Sequence, residues 1–534
     1  MSNPNEQHGD EITRNLRLTL AVLLLGVALT SLMQVIVALA FPAFMSDFAI
    51  GADRATWTIT IFILTYTVSM PILGKLSDIF GRRLVFVLGT AVFAIGTTAC
   101  AVAPSFEALV VARAIQGLGG GGLFPIALAV VGNSFPRSRQ GTALGAVTAM
   151  YGVATVLGII IAGPILDNLG WRWLFGVISP LAAVTFGLAL TLPRDGQRDV
   201  RPAVDYLGAI VLSGTLLAVI LGMSELGNAK DILASSVWPY FTAMVLGIPL
   251  FVAVELRSPD PVISIRTFRH TGIALANAIA LTATFGQLCL IIFLPTFFKM
   301  RYSLSAGESS LALLPMVLGM AAASGVTGAL LNRVGAKRLT IVGLLIFGAA
   351  MSVLSFSLAT WELSQVLAAL TVAGIGLGLQ MAPVNHIVLL VTPPEEQGQA
   401  SSTVTMSRSL AGIFAGATGG LVMANYASNI GRRAMEALKP FLPPGMPPTA
   451  QGALPAAGNV TNRDVMATLR AMIEALPPAA RTAIEPRLPD MQAAVDQAVR
   501  SVFVDAIQQV VVIGLIGAGV AVVLAFLLRP KYGD

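Results

Sequence analysis

LGKLSDIFGRRL, residues 73–84, lies between two long apolar runs. It brings four charged residues and two glycines into one short stretch: Lys75, Asp78, Arg82, Arg83, Gly74 and Gly81. Charges at this density are too costly inside hydrocarbon. The stretch is therefore predicted to be a short loop at a membrane face, joining two spanning helices.

A weaker copy of this loop, GALLNRVGAK, occurs at residues 328–337. Its glycines, a leucine and a basic residue keep their spacing, whereas Asn332 stands in the place of Asp78. A feature repeated in both halves of an apolar chain is typical of transporters built from internal repeats. The copy therefore predicts two related membrane halves.

The composition excludes a soluble globular fold. The chain has 534 residues, of which 55% are hydrophobic and only 11% charged, and its mean hydropathy is +0.81. Apolar runs of about 20 residues, the length that spans hydrocarbon as a helix, recur along it. They lie near 18–44, 56–74, 84–103, 107–133, 141–166, 172–193, 205–224, 237–256, 272–298, 309–331, 339–359, 363–391, 402–425 and 507–528. We predict an all-α membrane protein with fourteen transmembrane helices.

The position of the repeat divides these helices into two six-helix bundles with two helices inserted between them. Residues 1–193 form the predicted N-terminal bundle, 194–256 the connector and the inserted pair, and 257–425 helices 9–13 of the C-terminal bundle. Residues 426–506 form a segment outside the membrane, and 507–534 the last helix and tail. The outer segment is either a tether or small cap, or a docking surface for a periplasmic adaptor protein.

Positive charge predicts the orientation. Arg and Lys are concentrated in short loops on the side that carries the termini, which is the pattern of cytoplasmic loops. Both termini are therefore predicted to be cytoplasmic, with residues 426–506 on the periplasmic side of a cell inner membrane. The isoelectric point near 9.5 follows from these loops, so nucleic acid is not an expected partner.

Four stretches together resemble the major facilitator superfamily. They are the loop GKLSDIFGRR, an arginine motif with Arg113 and Gln116 on helix 4, a glycine–proline motif with Gly158, Gly163 and Pro164 on helix 5, and a late arginine motif with Arg408 on helix 13. The inserted pair is similar to the 14-helix drug:proton antiporter branch, the multidrug efflux permeases. The resemblance implies a secondary active transporter that exports small amphiphilic compounds by alternating access, in contact with membrane lipids.

The motif residues also have physical roles. Asp78 and the basic residues beside it are predicted to form a gating latch, because a charge pair at a moving interface can hold one conformation. Glycines on helix 5 permit close helix approach, and Pro164 can bend the helix end. Arg113 is a costly intramembrane charge with four explanations: substrate binding, proton coupling, locking of helix 4 to helix 1, or a structural anchor satisfied by carbonyls or Gln116.

Helix 1 departs from the antiporter pattern. Related antiporters carry an acid about nine positions before a proline, and alignment on Pro42 puts Met33 there, followed by Gln34. Proton coupling would then need Asp78, Glu107, His386 or a less obvious group. A cavity with a buried arginine and no carboxylate is expected to favour neutral or anionic substrates over cations.

Further candidates for coupling or substrate binding lie on helices 1, 4, 9 and 12, which line the pathway in the superfamily. They are Met33, Gln34, Gln116, Phe124, Asn277, Phe285, Gln287, Gln380, Met381, Asn385 and His386. Met and Phe suit an adaptable pocket, although helix packing also explains each of these side chains taken singly.

The sequence carries no Walker loop, metal-spaced His/Cys cluster or catalytic triad, so no enzyme activity, metal or cofactor is expected. Two rivals to efflux remain. A transporter of lipids or lipid-like metabolites also fits an apolar cavity without a carboxylate. A non-transporting receptor or scaffold would display residues 426–506, but it would need neither the charged loop nor the glycine–proline motif.

The predicted topology is testable by cysteine labelling. Ala456→Cys in intact cells should react with a membrane-impermeant maleimide, because residues 426–506 are predicted to be outside. Asp199→Cys, in the connector, is the matched control and should react only after lysis. Protection at position 456 with labelling at position 199 would reverse the orientation.

Overall fold

The computed structural model describes residues 4–50, 52–55, 57–193, 205–229, 234–358, 360–427, 429–441 and 487–529. Within these ranges, thirteen helices are long and apolar enough to cross a membrane. The predicted span 402–425 lies in a helix of 31 residues, Gln397–Ala427, but its many Ser, Thr and Gln residues make it less apolar than the others. The all-α membrane fold is therefore confirmed, while the count by length and hydropathy is thirteen rather than fourteen.

The N-terminal bundle contains nine helices in the described part of the chain. They are α1 (Pro4–Leu39), α2 (Phe41–Asp47), α3 (Ala52–Ala55), α4 (Trp57–Phe80), α5 (Arg82–Ala101), α6 (Phe106–Gly120), α7 (Leu123–Ser134), α8 (Arg137–Asn168) and α9 (Arg172–Ala189). One crossing is divided between α6 and α7, because Pro125 has no N–H to bond the Gly121 carbonyl.

The inserted pair and the C-terminal bundle follow. Their helices are α10 (Tyr206–Ala229), α11 (Trp238–Arg257), α12 (Thr271–Tyr302), α13 (Ala306–Leu311), α14 (Leu314–Val334), α15 (Ala336–Ser357), α16 (Leu363–Val391), α17 (Gln397–Ala427), α18 (Ile430–Leu438) and α19 (Leu488–Phe526). Short 3₁₀ turns lie at Ile265–Arg269, Pro394–Glu396 and Lys439–Phe441. The stretch Asn462–Leu476, which has helical spacing in the sequence, is outside the described residues.

The two halves repeat the same loop geometry. Gly81 and Gly335 both have positive φ, 94° and 87°, a conformation that favours glycine. The basic residue two positions later donates to a carbonyl at the end of another helix of its own bundle. Arg83 reaches Leu190 after α9, and Lys337 reaches Leu528 after α19. We call the end of the bundles that carries both loops the loop face.

Glycines also set matching helix contacts in each half. A methyl group added at Gly119 of α6 would lie 2.6 Å from the Gly89 carbonyl oxygen of α5. A methyl group at Gly376 of α16 would lie 2.6 Å from the Gly343 carbonyl oxygen of α15. Small residues permit such close backbone approach between membrane helices. The internal repeat therefore extends into the packing of the bundles.

The bundles meet along two seams. In one, α8 packs on α14, and a methyl group at Gly141 would lie 2.6 Å from the Gly328 carbonyl oxygen. In the other, α4 packs on α17, where a methyl group at Gly74 would lie 2.7 Å from the Gly398 carbonyl oxygen. The inserted helix α10 covers this second seam, with buried Leu212 packed in an apolar cluster that includes residues of α4 and α17.

Gly119→Ala should destabilise the protein, because the new methyl group would collide with the backbone of α5 at Gly89 and Phe93. Overpacking of this kind costs about 1–3 kcal/mol. Thermal unfolding of purified protein in detergent should show a lower midpoint. Gly187→Ala in α9 is the control, since nothing lies within 4 Å of the added methyl group. Equal midpoints for the two variants would contradict the close packing.

Candidate functional site

The Asp78 carboxylate joins the two bundles at the loop face. Its Oδ1 accepts the backbone N–H of Gly398 at 3.0 Å, and its Oδ2 accepts that of Gln399 at 2.7 Å. Both donors belong to the first turn of α17, where unpaired N–H groups and the helix dipole favour an anion. The carboxylate is buried, with only 9% of the residue exposed. It therefore fixes the end of α4 against the start of α17.

Arg82 also contributes to the contact between α4 and α17. It is 1% exposed, and its Nη2 lies 3.7 Å from Asp78 Oδ1. Its Nη1 donates to the Ala129 carbonyl of α7 at 3.0 Å, and its Nη2 donates to the Pro394 carbonyl just before α17. The charged loop thus ties α4 and α7 of one bundle to the start of α17 in the other.

Arg113 lies inside the N-terminal bundle rather than between the bundles. Arg113 is only 1% exposed. Its Nε donates to the Thr58 carbonyl at 3.0 Å, and its Nη1 donates to Gln116 Oε1. The guanidinium also stands 4.0 Å from the centre of the Phe62 ring. Gln116 donates in turn to Thr97 Oγ1 at 2.7 Å. This geometry matches the structural-anchor explanation and differs from the expected position in the cavity.

Arg408 occupies the position between the bundles. It lies on α17, half-buried, and its charge interacts with Tyr151 on α8 of the opposite bundle. The two residues beside it contact different bundles. Ser407 donates to Asn277 Oδ1 of α12 at 3.0 Å, and Ser409 Oγ lies 3.8 Å from the Met70 sulfur of α4. Arg408 Nε and Nη2 are buried and have no hydrogen-bond partner in the described part of the chain.

Polar and aromatic side chains of the N-terminal bundle cluster around Tyr151, which interacts with Arg408. Tyr151 lies 3.5 Å from Gln34 Oε1, and its ring stands 6.0 Å from that of Phe124. The Tyr66 hydroxyl interacts with the side chains of Thr30 and Gln34. Of the expected cavity residues, Gln34 and Phe124 are therefore brought together here. Tyr66 and Tyr151 were missed, because a tyrosine in an apolar helix has no sequence signal that separates it from core.

The expected residues of the C-terminal bundle are spread over several contacts. Asn277 pairs with Ser407, and Gln287 donates towards the Met320 sulfur of α14 at 3.5 Å. Three polar atoms on α16 are buried without a hydrogen-bond partner among the described residues: Gln380 Oε1, Asn385 Nδ2 and His386 Nδ1. These orphaned atoms leave α16 with unused capacity for hydrogen bonding.

Other expected residues serve packing. Met33 is fully buried in the core of the N-terminal bundle, and Phe285 packs beside Gly517 of α19. A methyl group at Gly158 would only make ordinary contacts of 3.5 Å or more with α1, and nothing surrounds Gly163 within 4 Å. α8 continues through Pro164 to Asn168. The close approaches expected at Gly158 and Gly163 occur instead near the other end of α8.

Glu107, one candidate for proton coupling, lies on the surface opposite the loop face. It pairs with Arg54 at 2.7 Å, and the two side chains are 69% and 57% exposed. Asp47 on the same face accepts from Arg172 at 2.7 Å and from Trp171 at 3.1 Å, and these hydrogen bonds hold the pKa of Asp47 below its usual value. Neither acid reaches the position between the bundles.

A family model described as the Major Facilitator Superfamily matches residues 23–416. The chain belongs to this superfamily. It is 28% identical over 426 residues to the Multidrug transporter protein MdtP of Bacillus subtilis, covering 79% of this chain and 78% of that one. It is 29% identical over 421 residues to the Multidrug resistance protein Stp of Mycobacterium tuberculosis, covering 78% of each. The family predicted from the four motifs is confirmed.

Solved structures of the superfamily share the fold. The human organic anion transporter MFSD10 aligns with a TM-score of 0.57 at 16% identity, over 76% of this chain and 94% of that one. The proton:xylose symporter XylE aligns with a TM-score of 0.54 at 14% identity, over 79% and 91%. The chain is a multi-pass membrane protein of a transporter family.

Asp78→Asn should loosen the loop face, because it removes the negative charge at the start of α17 and leaves the buried Arg82 without its carboxylate. Spin labels at Asn133→Cys and Glu395→Cys, both exposed on this face in different bundles, would measure the separation. The native Cys100 and Cys289 are buried. We expect a new population with a longer distance in the variant.

Glu107→Gln is the control, since an exposed ion pair contributes only about 0–1 kcal/mol. Its distance distribution should match that of the parent. An unchanged distribution in Asp78→Asn would show that the carboxylate does not hold the bundles together.

Proposed function

We propose that this protein is a secondary active transporter that exports small amphiphilic compounds from the cytoplasm across the inner membrane. The observation that carries the proposal is Arg408, a half-buried cation between the bundles with two unpartnered nitrogen atoms. An intramembrane charge facing a partner bundle marks a functional site by default. The relatives named as multidrug transporters support the substrate class.

The site around Arg408 combines features that suit amphiphiles. Tyr151 interacts with Arg408, the Phe124 ring and the Gln34 amide lie beside Tyr151, and Gln34 in turn interacts with Tyr66. Pockets of this kind bind the apolar body of a ligand while a few polar groups fix its orientation. The aromatic surface is expected to tolerate substrates of different shapes, and the polar groups to discriminate among their charges.

Arg408 sets the charge preference. Two unit charges 4 Å apart interact by about 4 kcal/mol at an effective dielectric constant of 20, and about 1.4 kcal/mol already corresponds to tenfold in binding. A cationic substrate would meet this repulsion without a carboxylate to offset it, whereas an anion would satisfy the unpartnered nitrogen atoms. We therefore infer a preference for neutral or anionic amphiphiles, with Arg408 rather than Arg113 as the determinant.

Alternating access would proceed by release of the loop face. The bundles are joined there by Asp78 and Arg82, so this conformation is closed at that face. Breaking these contacts would let the bundles rock about the α4–α17 and α8–α14 seams. The space around Arg408 would then open at the loop face. The concentration of basic residues at the loop face supports its assignment to the cytoplasm.

Purified protein in proteoliposomes tests the proposal, with transport measured with and without an imposed pH gradient. The substrates are one lipophilic cation, one neutral amphiphile and one anion of similar size, with a fluorescent phospholipid as the arm for lipid transport. Transport of the neutral or anionic compound is the expected result. Transport of the phospholipid alone, or of nothing, would contradict the proposed export function.

Arg408→Gln should reduce transport of the anion at least tenfold and change that of the neutral compound much less, because the charge acts only on a charged substrate. Arg113→Gln is the matched control: it loses contacts inside one bundle, so it should lower stability and affect all substrates alike. Efficient export of the cation by the parent, with Arg408→Gln reducing every substrate equally, would contradict the electrostatic argument.

A further inference from the structure

A second buried charge lies at the loop face, on the inserted helix α11. Glu255 is 3% exposed and close to the end of this helix. Its Oε2 accepts the backbone N–H of Ile263 at 3.3 Å, whereas its Oε1 is buried without a hydrogen-bond partner in the described part of the chain. A buried carboxylate oxygen left unpaired is costly.

Asp205, just before α10, faces the same space. Its Oδ1 accepts the Gly208 N–H at 2.7 Å, and its Oδ2 is likewise buried and unpartnered among the described residues. A methyl group added at Gly208 would lie 2.7 Å from Asp205 Oδ2 and 2.7 Å from Glu255 Oε1. The two orphaned oxygens therefore converge on one small space, which the absence of a side chain at Gly208 keeps open.

The geometry limits what this space can hold. Each carboxylate already uses its other oxygen for a backbone N–H, so one oxygen from each remains, whereas hard metal ions such as Ca²⁺ take six to eight oxygen ligands. Two ionised carboxylates so placed repel, and protonation of one of them removes the repulsion and supplies a hydrogen-bond donor. A proton is therefore the ligand that suits two free carboxylate oxygens in the small space beside Gly208.

The surroundings supply a route and an electrostatic balance. Glu255 lines a cavity of about 690 Å³ at the loop face, through which water can reach this member of the pair. The other charged or titratable groups that line the cavity are Lys75, Asp260, Arg266, Arg269, His270 and Glu396. Lys75 is on α4. Loss of a proton from Glu255 would add a negative charge to the cavity that holds this cation, so it would strengthen the attraction between α11 and α4.

A short chain of hydrogen bonds connects this pair to the latch. The Ile263 N–H donates to Glu255. In the same loop, the carbonyls of Pro261 and Val262 accept from Gln399 Nε2 at 2.8 Å and 2.5 Å. Gln399 is the residue whose backbone N–H donates to Asp78 at 2.7 Å. A change of charge at Glu255 thus acts on the segment that holds the start of α17.

We propose that Glu255 and Asp205 form a proton-binding carboxyl pair in equilibrium with water of the loop-face cavity, and that its protonation favours opening of the Asp78 latch. This inference rests on the proposed export function and adds a control of that function by the pH at the loop face. Because the proton is bound and released at one face, the pair regulates the transport rate and carries no proton across the membrane.

Glu255→Gln tests the proposal, because an amide replaces the protonated carboxyl group but cannot release a proton. In proteoliposomes with the same pH on both sides, exchange of labelled for unlabelled substrate by the parent should rise at least tenfold as that pH is lowered, whereas exchange by the variant should not depend on the pH. Asp205→Asn should behave alike. Glu395→Gln, an exposed carboxylate at the same face, is the control and should keep the pH dependence of the parent.

Infrared difference spectra give a readout that does not depend on transport. The parent should show a protonated carboxyl band that disappears as the pH is raised, and this band should be lost in Glu255→Gln while the control keeps it. Exchange by Glu255→Gln that depends on pH as it does in the parent would overturn the inference. If the parent transports nothing, the export function fails, and the carboxyl band alone decides whether the pair binds a proton.

Discussion

One buried carboxylate holds the two bundles together at the loop face. An anion at a helix N-terminus is favoured by up to about 2 kcal/mol when partly buried, and removing one member of a buried ion pair costs about 3–5 kcal/mol, since the other charge is left uncompensated. Asp78 has both roles, at the start of α17 and beside Arg82. The carbonyls of Ala129 and Pro394 also accept hydrogen bonds from Arg82, but they carry no net charge, so only the carboxylate neutralises this buried cation.

The repeat explains why a single junction carries this charge. Both halves share the glycine with positive φ and the basic residue that caps a neighbouring helix end. Only the first half has an acid at the fourth position after its leading glycine, because Asn332 replaces Asp78 in the second. Both seams have close glycine packing, at Gly74 and Gly398 and at Gly141 and Gly328, but the α4–α17 seam adds the Asp78 carboxylate to it. The inserted helices cover the charged seam, which gives them a place from which to influence it.

The sequence predicted the fold well and the site partly, for physical reasons. Hydropathy and charge density determine where a helix begins and ends, but not which side of it faces the partner bundle. Arg113 and Arg408 both looked like intramembrane charges, yet Arg113 has Gln116 one turn later to accept from it, whereas its counterpart on α17 has no amide or acid at that spacing. That difference was a usable signal. The convergence of Glu255 and Asp205 was not predictable, since it depends on how the loop after α11 folds back.

The length of α19 has a mechanical consequence. At 1.5 Å per residue its 39 residues extend about 58 Å, close to twice the hydrocarbon thickness of about 30 Å. The N-terminal part of α19 packs against α18 through a small core that includes Ala434, Met491 and Val495. α19 is therefore a rigid extension of the C-terminal bundle that α18 supports. Because displacement grows with distance from the axis of rotation, a slight tilt of that bundle would move the N-terminal end of α19 farther than it moves the helices inside the bundle.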